Sequence, residues 1–151
     1  MEQYPNHSIS YRVFPMSPDC NRKVNEKITN FPHACLTARA IKAAVLTGTP
    51  EQAWAFHEWL IDYGPDVDEM SLMTGAATAG LDMVAFQESL NSPEVERAVL
   101  EDVSKGIQMR FRGPPAVFIN GRYVPRWSAE AGDDILERIL AEAARERAEG
   151  N

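Results

Sequence analysis

Cysteine thiols are the most reactive side chains this sequence offers, and it holds two, Cys20 and Cys35. Thiol-disulfide chemistry needs an accessible thiolate with a resolving thiol in reach, and a Cys-x-x-Cys at a helix amino terminus supplies both. The spacing of Cys20 and Cys35 matches neither that motif nor a zinc ribbon. A zinc site from Cys20, Cys35 and His33 lacks a fourth ligand at a usual spacing. Of the three histidines, scattered along the chain, His57 lies beside an apolar helical face, which suits a packed or surface residue better than a base. Trp54, Phe56 and Trp59 recur at helical spacing and read as core. Asp133, Asp134 and Glu137 stand where a helix start favours negative charge, which accounts for them without catalysis.

The elements that must position these residues follow from periodicity. Ser8 to Phe14 alternates polar and apolar residues before Pro15 and predicts a strand. Pro15, Ser17, Pro18 and Asn21 make a loop around Cys20. An Ala-rich helix follows over 32–47, with Cys35, Ala38, Ile41 and Val45 on its inward face and Gly48 as stop. Thr49-Pro50-Glu51-Gln52 is a capping-box start for the next helix, with Ala53, Phe56 and Leu60 on one face. Shorter helices are expected over 68–79 and after the cap Asp82. Ser92-Pro93 then opens a helix with Val95, Val99, Val103 and Ile107 every four residues. Past Gly113-Pro114-Pro115 the pattern changes: Ala116 to Ile119, the turn pair Asn120-Gly121 and Arg122 to Val124 predict a β-hairpin. A last helix starts near Asp133, with Ile135, Leu136, Ile139, Leu140 and Ala143 as its buried stripe. Strand, helical block, hairpin and helix make a mixed α/β chain.

At 151 residues and 44% hydrophobic, the chain fits one domain over 1-151, with 144-151 expected as a frayed tail. A net charge of -7 gives no broad attraction to phosphate backbones, so nucleic acid is not an expected partner. No window approaches the roughly 20 apolar residues of a membrane-spanning helix. The first residues lack a basic and apolar leader pattern, which predicts a cytoplasmic protein if Met1 is the start.

Gly80-Leu81-Asp82, Phe86, Leu90, Ser92, Val99, Asp102, Gly106 and the run Gly113 to Gly121 together resemble the carboxy-terminal half of DsbA-like thioredoxin domains. Upstream, Phe14-Pro15, Asp19-Cys20-Asn21 and Pro32-His33-Ala34-Cys35 are similar to members in which two cysteines follow the second family strand. Some such domains are fused to a membrane-embedded vitamin K epoxide reductase-like partner. The resemblance implies an α/β, thioredoxin-like fold of DsbA type with a helical insertion, whose amino-terminal β-α unit, carrying Cys-x-x-Cys, is missing here. It gives Pro115 the place of the family's active-site cis-proline. It assigns Pro114 and Pro115 to binding extended polypeptide, although Pro114 has no amide proton to give. Cys20 and Cys35 are expected to form a structural bridge pinning the loop to the first helix, ahead of two separate thiols, a catalytic pair or a regulatory or accessory disulfide that exchanges through a mixed disulfide. Such a bridge contributes about 3 kcal/mol by loop closure.

The resemblance implies a thiol-disulfide oxidoreductase domain whose catalytic motif is absent from this chain, acting on extended or unfolded polypeptide or on a redox partner protein. It implies no cofactor and no metal. If the chain is a piece of a longer family member, its compartment is extracytoplasmic or periplasmic and a membrane domain can lie upstream. Two alternatives stand beside it: a non-redox binding or scaffolding module, and the glutathione-dependent isomerase or transferase branch of the fold.

Overall fold

The computed structural model describes residues 9–28, 30–111, 113–125 and 132–149. They fall into two compact units, Met1–Met109 and Arg110–Asn151.

The first unit is helical: α1 (Ala34–Thr47), α2 (Pro50–Tyr63), α3 (Glu69–Thr78), α4 (Met83–Leu90) and α5 (Pro93–Met109). The starts of α2 to α5 are each fixed by a local polar group. Thr49 and Gln52 close a capping box at α2, and Asp68 and Ser71 close another at α3. The Asp82 carboxylate accepts the Val84 and Ala85 amides at α4, and Ser92 Oγ accepts the Val95 amide at α5. Gly80 ends α3 with φ +74°, and the Leu81 and Gly80 amides return to the Ala76 and Ala77 carbonyls, a Schellman closure only a residue tolerant of that φ makes cheaply. The Gln52 amide also donates to the Gly80 carbonyl, tying the α2 start to the α3 end.

Helix α1 packs against α2, α4 and α5. Its buried face is built from Ala38, Ala40, Ile41, Ala43 and Ala44, small side chains that let the neighbouring helices approach closely. This corrects the expected stripe through Val45, which sits in the last turn and is 56% exposed. The centre of the core is Phe56 from α2 and Phe86 from α4, both fully buried, with ring centroids 5.3 Å apart edge to face. Phe56 thus follows expectation and Trp59 is partly buried against it, whereas Trp54 remains exposed. The apolar stripe of α5 holds: Val95, Val99 and Val103 are buried and Ile107 packs beside them.

The expected strand from Ser8 to Phe14 does not form; Ser8 lies outside the described residues, and residues 9–14 join no ladder. Among the described residues the pairing of β1 with β2 is the whole sheet. A lone alternating segment has no neighbour to take its backbone groups. The Val13 amide donates instead to the Asp102 carboxylate at 3.0 Å.

The second unit holds β1 (Val117–Ile119), β2 (Arg122–Val124) and α6 (Gly132–Glu149). The strands pair antiparallel with Val117 opposite Val124 and Ile119 opposite Arg122. Asn120 and Gly121 take φ +49° and +77°, the paired positive values of a type I′ turn. Val124 is buried, and α6 packs against β1. Helix α6 runs to Glu149, taking in most of the 144-151 stretch, whose Ala, Arg and Glu content forms helix readily.

Candidate functional site

Pro114 and Pro115 precede β1 in the second unit, and the peptide bond between them is cis. Nothing crowds Gly113 beside them. Strand β1 leads from this loop into the hairpin, where the Phe118 ring contacts those of Tyr123 and Phe111, at 5.4 and 6.4 Å between centroids. The two prolines therefore stand at the mouth of a short aromatic hairpin, with Pro114 contributing a carbonyl and no donor.

In the first unit, the loop around Cys20 is shaped by Asn21. That side chain is fully buried; its amide nitrogen donates to the Pro15 carbonyl at 2.9 Å and its oxygen accepts the Lys23 amide at 3.1 Å. The Asn21 backbone amide closes a turn onto the Ser17 carbonyl. Cys20 is held next to this knot and Cys35 is the second residue of α1; the two are joined as a disulfide, with Cα atoms 5.9 Å apart. Both are half-buried. A thiolate ligand set of Cys20, Cys35 and His33 is incompatible with that bond. Among the described residues, no group of three or more His, Cys, Asp or Glu is placed to hold a metal ion.

Sequence reasoning missed the charge cluster around Asp102. Its carboxylate is 3% exposed in the middle of α5, accepts Arg12 Nη1 at 2.8 Å and the Val13 amide, and is paired with the Lys42 ammonium from α1. Burial alone would push this carboxyl up; Lys42, the Val13 amide and Arg12 outweigh it and hold the group below the usual carboxylate range. The available signal was an Asp inside the stripe Val95, Val99, Val103, since a carboxylate on a buried face requires partners.

His57 lies under the Tyr11 ring at 4.1 Å and near Trp54 at 5.4 Å between centroids. Its Nδ1 is buried without a hydrogen-bond partner among the described residues, and burial drives its pKa down against a smaller upward pull from Glu58. The packed imidazole joins the 9–15 segment to α2 through its contact with the Tyr11 ring.

A family model described as DSBA-like thioredoxin domain matches residues 2–140. Among curated proteins, the chain is similar to the Na(+)/H(+) antiporter NhaA of Herminiimonas arsenicoxydans, 28% identical over 101 residues that make up 67% of this chain and 16% of that protein. The chain thus corresponds to about a sixth of that relative's length. No solved structure gives a significant match.

Proposed function

Since the chain belongs to the DSBA-like thioredoxin domain family, we propose that it is the polypeptide-presenting part of a thiol-disulfide oxidoreductase domain, whose Cys-x-x-Cys is not among its residues. The observation that carries this reading is the family match over residues 2–140 in a chain whose two cysteines are bonded to each other. An extended polypeptide would lie along the loop at Pro114 and Pro115, and the fold around it would hold it for exchange at a cysteine pair supplied elsewhere. In this reading Cys20 and Cys35 staple the loop at Asn21 to α1.

Two results are expected of the purified chain. Dithiothreitol-driven insulin reduction proceeds at the uncatalysed rate, because the chain has no Cys-x-x-Cys at a helix amino terminus to exchange with a protein disulfide. Turnover that Cys35→Ser abolishes would put the catalysis inside this chain and sink the reading. The second concerns Pro114→Thr, which restores the missing amide donor. It tightens binding of an extended peptide several-fold, the worth of one hydrogen bond of about 0.5–1.5 kcal/mol. Shifts of the Ala116 to Ile119 amides during an NMR titration read this out, and unmoved amides in both proteins count against peptide binding here.

A second reading, a non-redox binding module, draws on the antiporter relative, whose name denotes ion exchange and which shares with this chain only 16% of its length. The insulin assay leaves both readings standing when negative; only the first requires that a Cys-x-x-Cys partner segment, added back, raises the rate.

A further inference from the structure

We infer that the Cys20–Cys35 bridge is itself a thiol-exchange site, at which a low-molecular-weight thiol attacks the Cys20 sulfur and Cys35 leaves as the thiolate at the amino end of α1. Three independent features support this. Both cysteines are half-buried residues, so the bridge lies near the surface and outside the hydrophobic core. Cys20 lines a surface hollow of about 340 Å³, walled by Leu100, Val103 and Ile107 of α5 and rimmed by Asp19, Arg22 and Ser104, whereas Cys35 is not part of its lining. Of the two bridge residues it is Cys20 that borders the hollow, and the hollow's size suits a small molecule. Finally, Cys35 is the second residue of a 14-residue helix with no acidic residue in its first turn, and the N-cap His33 side chain makes no capping hydrogen bond. The Ala34 amide is taken by the Phe31 carbonyl, but no side chain caps this turn, so the start of α1 still favours negative charge on the departing Cys35 sulfur, and a better-stabilised thiolate leaves faster.

The electrons balance over two steps. An incoming thiolate forms a sulfur-sulfur bond to Cys20 as the Cys20–Cys35 bond breaks, with the electron pair leaving on Cys35. A second thiolate attacks the sulfur of the adduct, forming the small-molecule disulfide and releasing Cys20. Two thiols are oxidised and the bridge takes up two electrons. This site lies in the first unit and is independent of polypeptide binding at Pro114 and Pro115, so either idea can fail alone.

The test treats the folded chain with reduced glutathione, quenches with iodoacetamide and maps tryptic peptides; cleavage at Arg22 and Lys27 separates the two cysteines. The expected products carry glutathione on Cys20 and the alkyl group on Cys35. Ala34→Glu, which places a carboxylate in the first turn of α1, slows bridge opening several-fold while circular dichroism stays unchanged. Adducts chiefly on Cys35, equal labelling of the two, no adduct until denaturant is added, or equal reactivity towards a cysteine of a folded protein would each overturn the assignment.

Discussion

Replacing Asp102 by alanine lowers the unfolding free energy by about 3–5 kcal/mol, the cost of leaving a buried ionic partner uncompensated. The stranded partner is Lys42, whose side chain is 13% exposed, and the Val13 amide loses its acceptor in the same step. Arg12, 46% exposed, is rehydrated and contributes little. Asp102→Asn retains an acceptor for Val13 and is expected to cost less than alanine. The loss is pH-dependent with a definite sign. The folded carboxyl titrates below its unfolded value of about 3.9, so its contribution is complete above that pH and vanishes as pH falls through the folded pKa. Urea unfolding of parent and variant, followed by tryptophan fluorescence, is the measurement. A gap under about 1 kcal/mol at neutral pH, or one that widens in acid, would show that the cluster does not hold the segment at Val13 to α5.

The same cluster marks the limit of what the residues alone reveal. Helix starts at Thr49, Asp68, Asp82 and Ser92 could be read directly because capping is local chemistry within four residues, and the structure places each where the pattern puts it. The Asn120-Gly121 hairpin is equally local. Ser8 to Phe14 misled because alternation only states that one face is apolar; it cannot state whether a neighbouring strand exists, and here the Val13 amide turns to a carboxylate 89 residues away. Ion pairing of Asp102 with Arg12 and Lys42 joins three distant segments, and nothing in their spacing announces it.

For the candidate site the division is similar. Pro114 and Pro115 are legible as a pair because Gly113-Pro114-Pro115 runs straight into an apolar strand and a type I′ turn. The Cys20–Cys35 bond is favoured over separate thiols without a motif to specify it, since the spacing of the two cysteines matches neither Cys-x-x-Cys nor a zinc ribbon. What no pattern supplied is the hollow beside Cys20: it arises where α5 passes the loop fixed by Asn21, a tertiary juxtaposition of residues some eighty positions apart. The position of Cys35 at the start of α1 is legible, because the Ala-rich run and its entry at Pro32 put it in a first turn; of its expected stripe Ala38 and Ile41 are buried and only Val45 is exposed.

Truncating Phe86 to alanine is the other large effect expected, again about 3–5 kcal/mol. Its ring is fully buried where α4 meets α1 and α2, and it presents its edge to Phe56 at 5.3 Å. The site cannot collapse cheaply, because the buried face of α1, the helix packed on α4, is mostly alanine, with side chains too short to advance into a vacated ring volume. Nor can α2 and α3 close in freely: Gly75 lies so near the Trp59 ring that an added Cβ would stand 2.3 Å from it, so that contact is already at its limit. Phe56→Ala should therefore cost a similar amount, and a double-mutant cycle should return a coupling of about 0.5–1.5 kcal/mol for the edge-to-face pair beyond the area each ring buries. Denaturant midpoints of the parent, both single variants and the double variant settle it. Additive losses would mean that the two rings only fill space, and a loss under about 1 kcal/mol for Phe86→Ala would mean that α4 is not seated on α1 as described.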